Sequence, residues 1–201
     1  MRNSNFERKT RETEIALSIN LDGLGKNTIS TGIKFFDHLL EQFSFYSGFD
    51  LNLKVIGDLE LDTHHTVEDI AIALGSSLNQ CLADKRGITR FSDVFIPMDE
   101  SLVQVIVDIS GRPFYKGKIL CSTSYVGNGK NLIPIDLIEH FLYSFAINAK
   151  ITLHIRQLYG SNAHHICEAI FKALGRALGI ATTIKQDKSS GFIPSTKGVI
   201  E

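Results

Sequence analysis

Two short stretches of the chain carry metal-ligating residues and match each other position by position. His64-His65-Thr66-Val67-Glu68 recurs as His164-His165-Ile166-Cys167-Glu168. Laid together without a gap, residues 53–78 and 153–178 share Leu53/Leu153, the three ligand pairs, Ile70/Ile170, Ala73/Ala173, Leu74/Leu174, Gly75/Gly175 and Leu78/Leu178. A further histidine precedes each cassette, in Phe36-Asp37-His38-Leu39-Leu40 and Ile138-Glu139-His140-Phe141-Leu142. Six of the seven histidines therefore belong to an internal duplication. On a helix, His64 and Glu68, or His65 and Glu68, share a face. Adjacent histidines point about 100° apart, so each can reach a different ion. His38, His64, His65, Glu68, His140, His164, His165 and Glu168 thus form a candidate ligand set for a pair of ions. Shared equally they give four ligands per ion, which leaves a six-coordinate ion two open positions for water or substrate. Imidazole and carboxylate donors without thiolate fit Mn, Fe, Co or Zn, and an octahedral preference favours Mn or Fe.

The elements that must position these residues can be read from periodicity. Thr13 to Asn20 alternates as a half-buried strand; Leu21 to Asn27 reads as a hairpin turn with Thr28 to Thr31 returning. Phe35 to Phe45 has a helical apolar stripe, Asp50 to Ile56 alternates again, and Thr66 to Leu82 is a second helix. The second half repeats the order. Ser101 to Ile109 is a strand broken by Gly111-Arg112-Pro113, Pro134 to Ala149 a helix, Ile151 to Leu158 a strand and Ala163 to Ile180 a long helix. The expected fold is α+β, a duplicated ββαβα half (about 8–90 and 91–188) in a single domain spanning 1–201. Two mixed sheets and four helices, packed between or against them, share one core. Ser189 to Glu201 reads as an extended tail.

Composition narrows the class. Hydrophobic residues make up 43% and charged residues 21% of the chain, and the formal net charge is −1. No nucleic-acid or membrane partner is expected from that balance. The start lacks an apolar signal segment, and no apolar run approaches a bilayer span. Cys81, Cys121 and Cys167 are odd in number without CxxC spacing, which suits reduced thiols in the cytoplasm. Gly23-Leu24-Gly25 and Gly127-Asn128-Gly129-Lys130 read as turns, not nucleotide motifs. His154, unmatched in the other half, reads as structural, and Cys167, opposite Val67, as packing. Arg90, Arg112, Lys172 and Lys197, with Ser195 and Thr196, are candidate phosphate contacts.

Longer segments carry a family resemblance. They are Arg8-Lys9-Thr10-Arg11-Glu12-Thr13, Leu21-Asp22-Gly23, Phe35-Phe36-Asp37-His38, Gly57-Asp58, Asp62-Thr63-His64-His65-Thr66-Val67-Glu68-Asp69 and Pro97-Met98-Asp99-Glu100. Further on come Asp108-Ile109-Ser110-Gly111-Arg112-Pro113, Asn162-Ala163-His164-His165, Phe171-Lys172-Ala173 and Pro194-Ser195-Thr196-Lys197-Gly198. The set resembles the monofunctional imidazoleglycerol-phosphate dehydratases, which perform a dehydration in histidine biosynthesis. One departure is Tyr46, where the family commonly has a second histidine; it bears on a substrate contact, not on the metal ligands.

The resemblance implies a duplicated α+β fold, two Mn²⁺ ions per site, and a homo-oligomer of 24 subunits with sites shared between neighbours. It implies Glu12, Asp99 and Glu168 as catalytic residues. It also implies Glu12, His38, Arg90, Arg112, Lys172, Ser195 and Lys197 as contacts to a phosphorylated imidazole substrate. The chemistry agrees: ions at both ring nitrogens hold the imidazolate, the neighbouring hydroxyl is expelled, a carboxylate relays the protons and the enol ketonises. Two rivals make different predictions. A dinuclear hydrolase would release inorganic phosphate, and a metal store would have no use for the basic set.

Overall fold

Alternation sets the sheets. Strand β2 (Thr13–Asn20) buries Thr13, Ile15, Leu17 and Ile19 and turns Glu14 and Ala16 outward. Strand β6 (Ser101–Asp108) buries Ser101, Val103, Val105 and Val107 in the same rhythm. Each is the second strand of its sheet. In the computed structural model, which describes residues 1–129, 132–185 and 192–200, the first sheet comprises β1 (Asn3–Lys9), β2, β4 (Asp50–Gly57) and β3 (Asn27–Ser30), in that order. The second comprises β5 (Phe91–Met98), β6, β10 (Thr152–Tyr159) and β7 (Phe114–Lys116). In both, the first three strands are antiparallel and the fourth is parallel to its neighbour. Only the second half also has the short pair β8 (Tyr125–Val126) and β9 (Ile133–Pro134).

The α+β architecture and the ββαβα order stand, with one further strand leading each half. Strand β1 is polar along most of its length, and β5 carries apolar side chains on both faces, Phe91 and Phe95 outward against Val94 inward. Neither shows the one-sided alternation that marks a half-buried strand. The expected hairpin is corrected. Strand β3 does not return along β2, because β1 and β4 take both edges of β2. Asp50 instead accepts the backbone N–H groups of Leu24 and Lys26 at 2.9 Å each and anchors the turn at the start of β4. From there β3 runs parallel to β4. The expected end of the second half at 188, the start of the tail at Ser189, Lys130 and Glu201 lie outside the described residues.

Four helices lie between the sheets: α1 (Lys34–Ser47) and α2 (His64–Leu82) on the first, α3 (Ile135–Asn148) and α4 (Ala163–Thr182) on the second. The helices pair across the halves, α1 with α4 and α2 with α3. Glycine makes the crossings close. A Cβ on Gly175 of α4 would lie 2.4 Å from the Phe43 carbonyl oxygen of α1, and one on Gly75 of α2 would lie 2.6 Å from that of Phe145 on α3. The two contacts are copies of each other, since Gly75/Gly175 and Phe43/Phe145 are equivalent pairs. Where the layers meet, Phe36, Phe141 and Phe171 pack edge-on and stacked, with centroids 5.2 to 6.2 Å apart, and all are buried. Burying each ring is worth about 2–3 kcal/mol. The exchange of helix partners decides which ligands can meet.

Candidate metal centre

Each cassette sits in the first turns of a helix whose start is fixed by a side chain just before it. Asn162 accepts the N–H groups of His164 (2.9 Å) and His165 (3.4 Å), and Asp62 accepts that of His64 at 2.7 Å. Asp and Asn serve here because a short side-chain oxygen reaches the free N–H groups of a helix start. His38 lies one turn into α1, behind buried Asp37, which accepts the Thr31 N–H at 2.8 Å.

The crossing of α1 with α4 brings His38, His164 and Glu168 together; that of α2 with α3 brings His64, Glu68 and His140 together. In each triad the potential donor atoms lie within 4.8 Å of one another. His38 Nε2 is 3.3 Å and His164 Nε2 3.1 Å from Glu168 Oε2. His140 Nε2 is 2.9 Å from Glu68 Oε1, and His64 Nε2 3.6 Å from Oε2. Two ligands at right angles around an ion with bonds near 2.1 Å are about 3.0 Å apart, so the spacings suit one divalent cation per triad. Each glutamate is thus joined by the histidine of its own cassette and by one from the other half.

The triads differ in setting. Glu168 is buried; Lys172 reaches it at 2.7 Å and stands 5.8 Å from the Tyr46 ring. Burial pushes the Glu168 carboxyl upward, but the Lys172 and His38 contacts outweigh it and hold the group below its ordinary range. Glu68 is half-exposed, and His64 and His140 line a cleft of about 650 Å³ with Asp62, Tyr125 and Asp136. Tyr125 belongs to the strand pair that only the second half has.

His65 and His165 stand outside both triads. Their rings lie nearly perpendicular to those of His64 and His164, at 82° and 88°. Asp58 meets His65 Nδ1 at 2.9 Å, and Glu100 meets His165 Nδ1 at 2.7 Å. On the Nε2 side, Glu12 is 3.9 Å from His65 and Asp99 is 3.6 Å from His165. Glu12 and Asp99 are exposed, on the β1–β2 and β5–β6 turns. Sequence reading gave Asp58 and Glu100 no role, although both lie in segments quoted for the resemblance. A carboxylate that holds a histidine is distant in sequence and leaves no spacing to detect.

The basic set gathers elsewhere. Arg90 donates to Asp108 at 2.8 Å and to the Pro194 carbonyl at 2.7 Å, which ties the segment bearing Ser195 and Lys197 to the sheet end bearing Arg112. The Arg112 side chain is exposed, 3.9 Å from Asp108. The exposed Arg112 stands beside Arg90, which is itself paired with Asp108. The Arg90 backbone N–H bonds the Ala181 carbonyl, near the far end of α4. From His164 to Ala181 is about 25 Å at 1.5 Å per residue. Lys172 alone of the basic residues adjoins a triad. His154 belongs to neither triad and packs against Phe114 at 5.6 Å on the outer sheet face. Cys167 is fully buried, its thiol pushed up to about 12 by burial, and is in neither triad.

Known proteins resemble this chain over nearly its whole length. The family model for imidazoleglycerol-phosphate dehydratase matches residues 31–178. The imidazoleglycerol-phosphate dehydratase of Acetivibrio thermocellus is 51% identical over 195 residues, 96% of each chain. That of Thermoanaerobacter pseudethanolicus is 50% identical over 200 residues, covering 100% of both. The crystal structure of the Staphylococcus aureus imidazoleglycerol-phosphate dehydratase superposes with a TM-score of 0.80 at 39% identity, over 91% of this chain and 99% of that one.

Proposed function

The chain belongs to the imidazoleglycerol-phosphate dehydratase family, hydro-lyases of histidine biosynthesis, and on that premise we propose how its residues carry out the dehydration. The substrate is D-erythro-imidazole glycerol phosphate, the product imidazole acetol phosphate. The observation that carries this reading is the pair of His–His–Glu triads, each assembled from both halves of the duplication.

The triads would hold two Mn²⁺ ions per site, with His65 and His165 available as further ligands. Such ions would supply Lewis acidity toward the imidazole ring of the substrate, easing loss of its ring proton. Glu168, kept anionic by Lys172 and His38, acts as a ligand and not as a proton carrier. Glu12 and Asp99 lie on exposed turns beside His65 and His165 and move the protons. The hydroxyl leaves from the carbon bonded to the ring and takes up a proton as water. The next carbon loses its proton to a carboxylate, and the enol ketonises. Arg112, Ser195 and Lys197 take the phosphate, with Arg90 bracing them.

Arg90, which ties these residues together, is bonded to Ala181, about 25 Å along α4 from His164. A glycerol phosphate bearing one imidazole ring does not span that distance. That separation supports reading the site as completed between copies, in the homo-oligomer of 24 subunits that the resemblance implies, with neighbours supplying His65, His165 and the basic set. The three cysteines are free thiols, which fits a cytoplasmic enzyme. Among the described residues no helix is long and apolar enough to cross a membrane.

The test is turnover of imidazole glycerol phosphate by metal-stripped protein with and without added Mn²⁺. Imidazole acetol phosphate formed only with metal, the phosphate retained, is the expected result. Release of inorganic phosphate would hand the site to hydrolysis. Full activity in Glu12→Gln would remove Glu12 from the proton relay.

A further inference from the structure

His65 and His165 are held by carboxylates whose positions the duplication does not explain. Strands β2 and β6 occupy the same place in their sheets, and Thr13, Ile15, Leu17 and Ile19 correspond to Ser101, Val103, Val105 and Val107. Glu12, just before β2, is therefore the counterpart of Glu100, just before β6. The two do different things. Glu100 Oε2 meets His165 Nδ1 at 2.7 Å. Its Oε1 is fixed by the N–H groups of Asn162 (2.8 Å) and Ser161 (3.2 Å) and the Ser101 hydroxyl (3.0 Å). Glu12 instead lies on the Nε2 side of His65, at 3.9 Å.

The Nδ1 contact of His65 comes from Asp58, which follows β4, at 2.9 Å. After β10 the chain runs Gly160-Ser161-Asn162-Ala163 to His164, with no carboxylate to match Asp58. Asp58 is itself fastened: its N–H donates to the Glu12 carbonyl at 3.1 Å and its carbonyl accepts from Leu61 at 2.8 Å. One contact has thus been built twice, from a strand end in one half and a hairpin turn in the other. Inheritance alone would have put it at equivalent positions. A shared requirement on the ring explains the recurrence.

We infer that Asp58 and Glu100 are positioning residues that accept the Nδ1–H of His65 and His165 and so leave the Nε2 lone pair of each ring facing outward for an ion. The inference rests on the metal reading proposed above. A carboxylate on Nδ1 fixes the tautomer and ring direction and makes Nε2 a stronger donor. With Asp58 holding His65, Glu12 is released from that task and stays free on the surface.

The test uses Asp58→Asn and Glu100→Gln, which keep side-chain size and an acceptor oxygen for the backbone contacts. Mn²⁺ uptake is followed by the electron paramagnetic resonance of the free ion, and melting temperature is taken on metal-free protein at the alkaline end of its stable range, where the proton-linked stability of the two contacts is lost. The expected result is a dissociation constant raised about 10–100-fold in each variant, confined to one of the two classes of bound ion, at an unchanged metal-free melting temperature. Wild-type affinity in both variants would overturn the assignment. So would an affinity loss matched by a lower metal-free melting temperature, since the carboxylates would then merely support the loops. Wild-type protein that takes up no Mn²⁺ removes the metal reading itself, and is distinguishable from failure of the positioning role alone.

Discussion

At the scale of single residues, a proton and the proposed ion would compete for the same nitrogens. The hydrogen bond to Asp58 lifts His65 above its ordinary 6.5, and that to Glu100 does the same for His165, in each case against a smaller effect of burial. A raised value means that the folded protein holds the proton more tightly. In metal-free protein these contacts therefore stabilise fully below the unfolded value, and the benefit is lost as pH rises through the raised one. Metal binding has the opposite slope, because an imidazole must shed its proton to ligate. Melting curves from about pH 6 to pH 9 should fall with pH in the presence of a chelator and rise with pH when Mn²⁺ is present. Parallel slopes would mean that these histidines are not ligands. Cys167 supplies a simpler check. It is fully buried, outside both triads, and opposite Val67 in the repeat. Cys167→Val adds one heavy atom to a full core and should cost about 1–3 kcal/mol, while Mn²⁺ uptake should be unaltered.

At the scale of elements, the site depends on two helix crossings that tolerate no side chain. Gly175→Ala puts a Cβ against the Phe43 carbonyl of α1, a backbone atom that cannot swing aside. The helices must separate, at a cost of about 1–3 kcal/mol typical of overpacking. His38 and Glu168 lie on the two helices that part, so Mn²⁺ affinity should fall along with melting temperature. Denaturant unfolding and metal titration of the same variant check both. A destabilised protein with intact affinity would show that the triad is set by its loops and not by the crossing. Asp50, by contrast, serves only the turn between β2 and β3. It explains why that segment leaves β2, and nothing in the apolar pattern of residues 21–27 announces it.

At the scale of the whole molecule, one chain holds two His–His–Glu triads and a distant basic set. If substrate contacts come from neighbouring copies, two inactive variants should repair each other. Arg112→Ala lacks the phosphate contact and Glu168→Gln lacks the ligand, yet in mixed particles some sites receive both intact. Random mixing in equal amounts returns at most about a quarter of wild-type activity. The measurement is turnover after the two variants are dissociated and reassembled together, compared with each reassembled alone. No recovery in the mixture would place the whole site within one chain.

The sequence by itself determined the family, the duplicated α+β plan and the residues able to ligate, because cassettes repeated at fixed offsets survive as linear patterns. Helix periodicity also foretold that neighbouring histidines face different ways. Only the tertiary structure decided which of them meet. That choice came from α1 crossing α4 and α2 crossing α3, which joins each glutamate to a histidine of the other half. It also decided that Asp58 and Glu100, and not Glu12, meet Nδ1 of the remaining rings, and that Arg90 meets Asp108 and the Pro194 carbonyl. These are contacts between residues far apart in the chain, formed by packing and hydrogen bonding, and no local spacing encodes them.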